Sequence, residues 1–121
     1  MKVLVYGSLN IDLIFEVDHI VLPGETISGV SFARNAGGKG ANQAAALAKA
    51  GLDVFMAGKI GKDGEFLLEL LRSYGVDTGN VSVYDGNTGN ALIQVDKNGQ
   101  NSIVLYAGGN GGISLSEVEN V

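Results

Sequence analysis

The residues with the clearest chemical potential lie where a glycine cluster runs into an alanine-rich helix, within residues 35–50. Gly37, Gly38 and Gly40 precede or open this helix, whose first N–H groups have no partner within the helix itself. Because glycine carries no side chain, ligand oxygens could approach these N–H groups at the positive end of the helix dipole. Asn42 lies in the first turn, within reach of the same ligand. We favour a binding site here, and close packing of small residues is the alternative.

The cluster fails to match the two common nucleotide-binding motifs. A Walker A loop needs Gly, four residues and Gly-Lys before Ser or Thr, whereas Ala33 fills the first position and Gly40 follows Lys39. The dinucleotide fingerprint G-x-G-x-x-G fails because Gln43 stands at its last position. The glycines therefore do not by themselves predict a phosphate site.

Asn10 and Asp12 form a second candidate group, just after the first predicted strand. Residues 2–6 are a nearly continuous apolar run, typical of a strand buried on both faces of a parallel sheet. In open α/β sheets, ligands bind outside the carboxyl ends of such strands. A carboxylate accepts hydrogen bonds from two hydroxyls, which suits the vicinal diol of a sugar. We interpret Asp12 as a hydroxyl-binding residue, with a simple turn as the alternative.

Other polar side chains of this region suggest no further chemistry. Glu16 and Asp18 are interpreted as the solvated face of a strand. His19, the single histidine, has no second metal-ligand candidate nearby, so we interpret it as structural. No catalytic residue and no metal site are predicted in this chain.

The apolar pattern predicts the elements that position these residues. Alternation over residues 11–18 and 30–33 predicts two half-exposed strands, an insertion that a plain βαβ unit lacks. Residues 53–57 form another buried strand, and residues 81–84 a short one. Asn98-Gly99, between the apolar stretches 91–96 and 102–106, is a strong hairpin signal. The hairpin and the insertion fit a small accessory sheet.

Two further helices are predicted downstream. Asp63 is the expected N-cap of the first, and Gly75 ends it. Its core stripe, at helical spacing, comprises Phe66, Leu67, Leu70, Leu71 and Tyr74. Ser114 and Glu117 form a capping box that should begin the second, although few residues follow. We expect that a partner completes this element or that the chain is a fragment of something longer.

Composition restricts the class of protein. A chain of 121 residues with 45% hydrophobic and 17% charged residues predicts one folded domain. The net charge of −5 argues against a nucleic-acid partner, because phosphate binding needs a basic face. The absence of cysteine suits a reducing cytoplasm, where we expect the protein to reside. No apolar run approaches the ~18–20 residues that cross a bilayer, so no membrane partner is expected.

The motifs, in their order, resemble the N-terminal part of the ribokinase family, a branch of the PfkB carbohydrate kinases that also include fructokinases and adenosine kinases. The stretch Gly-Gly-Lys-Gly-Ala-Asn-Gln-Ala at 37–44 carries this resemblance most specifically. It is joined by residues 7–12, 23–26, 61–64, 88–89 and 101–103, and then by Asn110. The similarity covers the whole chain.

The resemblance implies an α/β fold with a Rossmann-like parallel-sheet core and a small antiparallel β lid that closes over a sugar. The core would comprise about residues 1–9, 36–84 and 108–121, and the lid about 11–35 and 88–107. Since only the N-terminal part of the family is matched, we expect a truncated domain.

The implied activity is ATP-dependent phosphate transfer to the 5-hydroxyl of D-ribose. The family's sugar-binding positions correspond to Asn10, Asp12, Gly38, Lys39 and Asn42, with Asp12 taking two ribose hydroxyls. Ala91 and Ile93 would be apolar lid contacts with the sugar, and Asn110 would lie near it. Relatives often dimerise through the outer lid surface, so a homodimer or other self-association is expected.

The family's second signature, a downstream glycine-rich loop with a catalytic Asp and an anion hole, does not occur in this chain. The sites for ATP with Mg and for a monovalent cation are therefore expected outside it. Because phosphoryl transfer needs nucleotide, metal and base together, we expect the chain alone to be inactive. Two alternatives stay open: a standalone half-domain that binds or self-assembles as a scaffold, and a related kinase for deoxyribose, a nucleoside or another sugar.

Overall fold

A computed structural model describes all 121 residues and contains two β-sheets and three α-helices. In chain order the elements are β1 (Lys2–Tyr6), β2 (Asn10–Glu16), β3 (Ser31–Gly37), α1 (Lys39–Lys49), β4 (Asp53–Ile60), α2 (Glu65–Ser73), β5 (Asp77–Val83), β6 (Gly89–Val95), β7 (Asn101–Tyr106) and α3 (Leu115–Glu119). Short 3₁₀ turns occupy Lys62–Gly64 and Gly108–Gly112. No helix is long and apolar enough to cross a membrane.

The two sheets confirm the predicted α/β class. The core sheet is parallel, in the order β1-β4-β5. The second, called here the four-stranded sheet, has the order β3-β2-β6-β7. Its two outer pairings are antiparallel, as predicted, whereas the central β2–β6 pairing is parallel. The reason is that β2 and β6 continue from β1 and β5, which run in the same direction in the core sheet.

The helices begin and end where the local sequence indicates. Gly38, at φ 100°, precedes α1, and Gly51, at φ 94°, follows its last turn. Gly75, at φ 90°, follows α2 in the same way. Such positive φ angles strain any residue with a Cβ, so glycine marks these boundaries. The C-terminal capping box also forms, with Ser114 as the N-cap of α3 and Glu117 closing it.

A single hydrophobic cluster joins the core sheet to the start of the four-stranded sheet. Its buried members are Val5, Leu9, Ile11, Ala41, Ala44, Val54, Met56, Ile60, Leu67, Leu68, Leu71 and Val76. Leu9, with no exposed surface, lies in the connection between β1 and β2. Truncation of such a side chain to alanine costs roughly 2–5 kcal/mol, so the connection is firmly held.

Two predictions about packing and one about helix capping are wrong. The strand β1 is not buried on both faces, because Leu4 is 50% exposed on the face that α1 and α2 leave uncovered. In α2, Leu68 is buried whereas Leu70 is 38% exposed. The buried stripe is therefore rotated about the helix axis relative to the predicted one. Asp63 does not cap α2, since a 3₁₀ turn precedes the helix and Gly64 occupies the N-cap.

The β6–β7 hairpin forms as predicted around Asn98-Gly99. The carboxylate of Asp96 accepts hydrogen bonds from the N–H groups of Asn98 and Gln100, at 2.9 and 3.0 Å. Gly99 adopts a φ of 79°, which explains the Asn-Gly preference at this turn. The hairpin fixes which residues of β7 lie opposite those of β6.

Candidate functional site

Asp12 lies in β2, between Asn35 of β3 and Ala91 of β6. A Cβ atom placed on Gly37 would lie 2.5 to 2.7 Å from the carboxylate atoms of Asp12, so a side chain at position 37 would displace that carboxylate from its position. No hydrogen bond or ion pair within the chain compensates the carboxylate, and burial raises the pKa of Asp12. A partly buried acceptor without a partner is a group prepared to receive donors from a ligand.

Asn10 is fixed by Asn110, from the 3₁₀ turn at Gly108–Gly112. The Nδ2 of Asn110 donates to the Oδ1 of Asn10 at 2.7 Å and to the carbonyl of Leu9 at 3.2 Å. The Oδ1 of Asn110 accepts from the N–H of Leu9 at 3.0 Å. Both N–H donors of Asn110 are thus used inside the protein. Asn110 holds the connection that carries Asn10 and leaves the amide of Asn10 free to donate.

The N–H groups at the start of α1, where a ligand was expected to approach, are bound within the chain. The hydroxyl of Ser8 accepts hydrogen bonds from the N–H groups of Lys39 and Gly40, at 3.0 and 3.4 Å. The carbonyl of Ser8 accepts from Ala41 at 3.0 Å, and the N–H of Asn42 reaches the carbonyl of Gly38. The N–H groups of Lys39, Gly40, Ala41 and Asn42 therefore all have acceptors within the chain, and ligand oxygens do not find them free.

The glycines mainly allow close packing of α1 against the β1–β2 connection, which was the alternative to a ligand site. A Cβ on Gly38 would lie 2.5 Å from the carbonyl oxygen of Ser8 and 2.9 Å from the nitrogen of Asn10. A Cβ on Gly40 would lie 2.6 to 2.7 Å from backbone atoms of Gly7 and Ser8. The two backbones approach so closely that α1 and the β1–β2 connection form one rigid unit. Within the cluster, Gly37 is the glycine that makes room for a side chain that can bind ligand.

Lys39 and Asn42 lie at the margin of this unit. Both are exposed, and no hydrogen bond joins either side chain to Asn10 or Asp12. Asn42 lines a groove of about 180 Å³ between α1 and α2, together with Ala36 and Leu67. The structure thus brings Asn10, Asp12 and Gly38 together, and it leaves Lys39 and Asn42 as side chains at the edge of the same unit.

Ala91 and Ile93 lie on the same face of the four-stranded sheet as Asp12. Ala91 pairs directly with Asp12, and Ile93 pairs with Ile14, one step further along the face. Since paired residues project to the same side of a sheet, the face has a polar part at Asp12 and an apolar part beside it. Leu105 and Ile103, which pair with Ala91 and Ile93, extend the apolar part and are 71% and 52% exposed.

Sequence reasoning missed the role of Thr88, which is fully buried where β6 leaves the core. Its hydroxyl accepts from the N–H of Gly61 at 2.9 Å and donates to Asp63 Oδ1 at 2.7 Å. Its own N–H donates to the same oxygen at 2.9 Å. The roles of Asp63, Thr88 and Ser8 depend on hydrogen-bond partners more than twenty positions away in the sequence. No local sequence pattern therefore indicates these roles.

The site has the chemistry of hydroxyl recognition rather than of metal or phosphate binding. No cluster of three or more histidine, cysteine or acidic side chains is arranged to hold a metal ion. The N–H groups that would hold a nucleotide phosphate at α1 are occupied, so these residues do not fit a phosphate group. What remains is a carboxylate acceptor, an amide beside it and an apolar wall, a combination suited to a polyhydroxylated ring.

Comparisons with known proteins agree with this chemistry. The model of the family described as "pfkB family carbohydrate kinase" matches residues 1–121. Ribokinase of Bacillus subtilis is 43% identical over 130 residues, which cover 99% of this chain and 44% of that protein. Ribokinase of Staphylococcus aureus is 40% identical, with 98% and 40% covered.

Solved structures of ribokinases also match most of this chain. Ribokinase from Cryptococcus neoformans in complex with ADP is 52% identical, with a TM-score of 0.85 over 90% of this chain and 35% of that one. Arabidopsis thaliana ribokinase complexed with ribose and ATP is 39% identical, with a TM-score of 0.82 over 88% of this chain and 36% of that one. The chain therefore spans about two fifths of the length of the ribokinases that it matches.

Proposed function

Since this chain belongs to the pfkB family of carbohydrate kinases, we propose that it is the sugar-binding and lid portion of a ribokinase. The activity of the whole enzyme would be phosphate transfer from ATP to the 5-hydroxyl of D-ribose. One observation carries the proposal: Asp12 holds an uncompensated carboxylate in space that Gly37 leaves open, on the sheet face that also carries Ala91 and Ile93. The similar Arabidopsis ribokinase, solved with ribose and ATP, supports the choice of ribose.

In this proposal the residues of the chain bind and orient the acceptor sugar. The carboxylate of Asp12 accepts hydrogen bonds from two neighbouring hydroxyls, and the free amide of Asn10 donates beside it. Gly38 holds the start of α1 against the β1–β2 connection beside the sugar, and the side chains of Lys39 and Asn42 contact the sugar from the same end of the helix. Ala91 and Ile93 of the four-stranded sheet, acting as the lid, cover the carbon face of the sugar and exclude water.

The phosphate-donating half would lie outside these residues. We expect ATP, its Mg and a monovalent cation to bind to the part of a ribokinase that this chain does not span, together with the catalytic base. The occupied N–H groups of α1 support this division. The chain alone should therefore not phosphorylate ribose, and ATP-dependent formation of ribose 5-phosphate by the purified 121-residue chain would contradict this expectation.

Titration calorimetry with D-ribose tests the sugar site. We expect wild type to bind, and Asp12→Asn to bind more weakly by about 2–5 kcal/mol, the usual cost of losing one partner of a desolvated charged hydrogen bond. Asp53→Asn, at an exposed carboxylate of β4, is the matched control and should bind like wild type. Equal affinities of wild type and Asp12→Asn would refute the site.

Self-association is a second proposed property, favoured by the exposed apolar side chains of the four-stranded sheet. Phe32, Val104 and Tyr106 are 59% to 65% exposed, and they share the face opposite Asp12. An apolar surface of this kind marks an interface in many soluble proteins. A homodimer through this face would bury it, either in a kinase or in a standalone scaffold. Light scattering distinguishes the outcomes, because a monodisperse monomer at moderate concentration would contradict self-association.

A related sugar is the alternative substrate. Deoxyribokinase of Salmonella typhi is 36% identical over 98% of this chain, only slightly less than the ribokinases. The same calorimetry with 2-deoxy-D-ribose compares the two sugars directly. Preference for the deoxysugar would replace ribose in the proposal without changing the role of Asp12.

A further inference from the structure

Asn35 lies directly opposite Asp12, in the neighbouring strand β3. The residues on both sides of Asn35 face the other way. Arg34 lies over the ring of Phe66 in α2, with 4.1 Å between the guanidinium carbon and the ring centroid, and Ala36 packs against the core. Since successive side chains of a strand alternate, Asn35 lies on the same face as Asp12, Ala91 and Ile93.

The two polar side chains form an open pair. Directly opposed residues of an antiparallel pair have Cβ atoms about 4.5–5.5 Å apart. Even so, no hydrogen bond joins Asn35 to Asp12, and the Asn35 side chain is exposed without a partner in the chain. The carboxylate accepts only, whereas the amide offers two donors and one acceptor. Together they complement hydroxyls, each of which donates one hydrogen bond and accepts others.

We propose that Asn35 is a specificity-determining residue of the sugar site, where its side-chain amide binds one hydroxyl next to those held by Asp12. This inference rests on the proposed function and adds a residue to it. This hydroxyl accepts from Asn35 Nδ2 while the neighbouring hydroxyls donate to Asp12, so the pair fixes the direction of these hydrogen bonds as well as their positions. Because Asn35 pairs with Asp12 in the same sheet, its contact with the sugar forms together with that of Asp12.

A set of single-deoxy sugars tests this inference by calorimetry. The ligands are D-ribose and its 1-, 2-, 3- and 5-deoxy analogues, and the proteins are wild type, Asn35→Ala and Asn101→Ala. Asn101 is an exposed asparagine on the same face, opposite Val95 and level with Glu16 rather than Asp12, which makes it the matched control. Both substituted residues are exposed, so unchanged melting temperatures should show that the fold is intact.

The expected result is that Asn35→Ala weakens D-ribose binding about 3- to 10-fold, the range of one hydrogen bond. Asn101→Ala should bind as wild type does. The loss caused by Asn35→Ala should vanish for the one analogue that lacks the contacted hydroxyl and persist for the others.

Other outcomes overturn the inference at different levels. Unchanged ribose affinity of Asn35→Ala, or a loss that persists with all four analogues, would refute the role of Asn35 while leaving the sugar site intact. An equal loss in Asn101→Ala would show a general effect of the face rather than a contact. Absence of binding by wild type to every sugar would overturn the proposed function and this inference with it.

Discussion

Asp63 and Thr88 are joined by two hydrogen bonds that end on the same oxygen. Asp63 Oδ1 accepts from the hydroxyl of Thr88 at 2.7 Å and from its backbone N–H at 2.9 Å. Burial alone would raise the pKa of Asp63, but these hydrogen bonds hold it below its ordinary value. Gly89, the first residue of β6, follows Thr88 at once, so this junction determines where the strand that carries Ala91 leaves the core.

Thr88→Val should therefore destabilise the protein although it changes little volume. The substitution removes the acceptor of the Gly61 N–H and one donor to Asp63, in a position with no exposed surface. Leaving a buried group without its partner costs about 1–3 kcal/mol. Urea unfolding followed by circular dichroism measures the loss. Thr26→Val, at an exposed threonine, is the control and should change stability by less than about 0.5 kcal/mol.

Ser8→Ala should also lower stability, because the Ser8 hydroxyl caps α1 from another part of the chain. Its removal leaves the N–H groups of Lys39 and Gly40 without that acceptor. Loss of a capping side chain costs about 0.5–2 kcal/mol. Ser114→Ala removes the cap of α3, a helix with no buried residue, and should leave global unfolding nearly unchanged. Equal losses in the two variants would contradict the greater importance of the Ser8 cap.

Gly37→Ala should impair sugar binding more than folding. The φ of Gly37 is not in the positive region, so alanine fits the backbone, but its Cβ would displace the Asp12 carboxylate. We expect ribose affinity to approach that of Asp12→Asn, with most of the stability retained. Gly99→Ala, in the hairpin turn at φ 79°, reverses this pattern and should lower stability without changing affinity. Calorimetry and urea unfolding of both variants measure the two effects.

His19 should titrate above its ordinary pKa. Its Nε2 lies 2.8 Å from Glu25 and its Nδ1 lies 3.2 Å from Asp18, and these hydrogen bonds, that to Glu25 first, raise the pKa of His19. Because it is the single histidine, its ring proton signal in NMR can be followed without ambiguity. Glu25→Gln should lower this pKa more than Asp18→Asn does. The reverse order would contradict the geometry.

The same cluster predicts a pH window for its small contribution to stability. The raised pKa of His19 means that its contribution is complete below about pH 6.5 and is lost as the pH rises through the folded-state value. The pKa of Glu25 is lowered by the N–H of Leu22 and by His19, so its contribution is present above about pH 4.5 and is lost in acid. The cluster therefore ties the β2–β3 loop most firmly between these values, and added salt should weaken it.

Elements specified by neighbouring residues could be predicted from the sequence. Gly51 and Gly75 end their helices through their own backbone preferences, and Asn98-Gly99 forms its turn through the residues beside it. The resemblance assigned Asp12, Ala91 and Ile93 to one expected sugar site, and the structure shows that they share a face of the four-stranded sheet. The helix ends and the hairpin turn need no knowledge of distant contacts.

Features that depend on distant partners could not be predicted in this way. The glycines before α1 suggested free N–H groups, yet Ser8, some thirty positions earlier, occupies them. Asp63 had the residue type and the place of an N-cap, but Thr88 offered its carboxylate two donors in a buried position. In the first case a tertiary hydrogen bond fills groups that the local sequence leaves free, and in the second it replaces the local cap that propensity favours.

The parallel β2–β6 pairing has a consequence for the order of folding. It joins strands roughly eighty positions apart, and such pairings close a long loop before any contact is gained. The helices and the β6–β7 hairpin need only near neighbours and can form first. We therefore expect the sheet that carries Asp12 and Asn35 to complete its central pairing last, and to open there first when the protein unfolds.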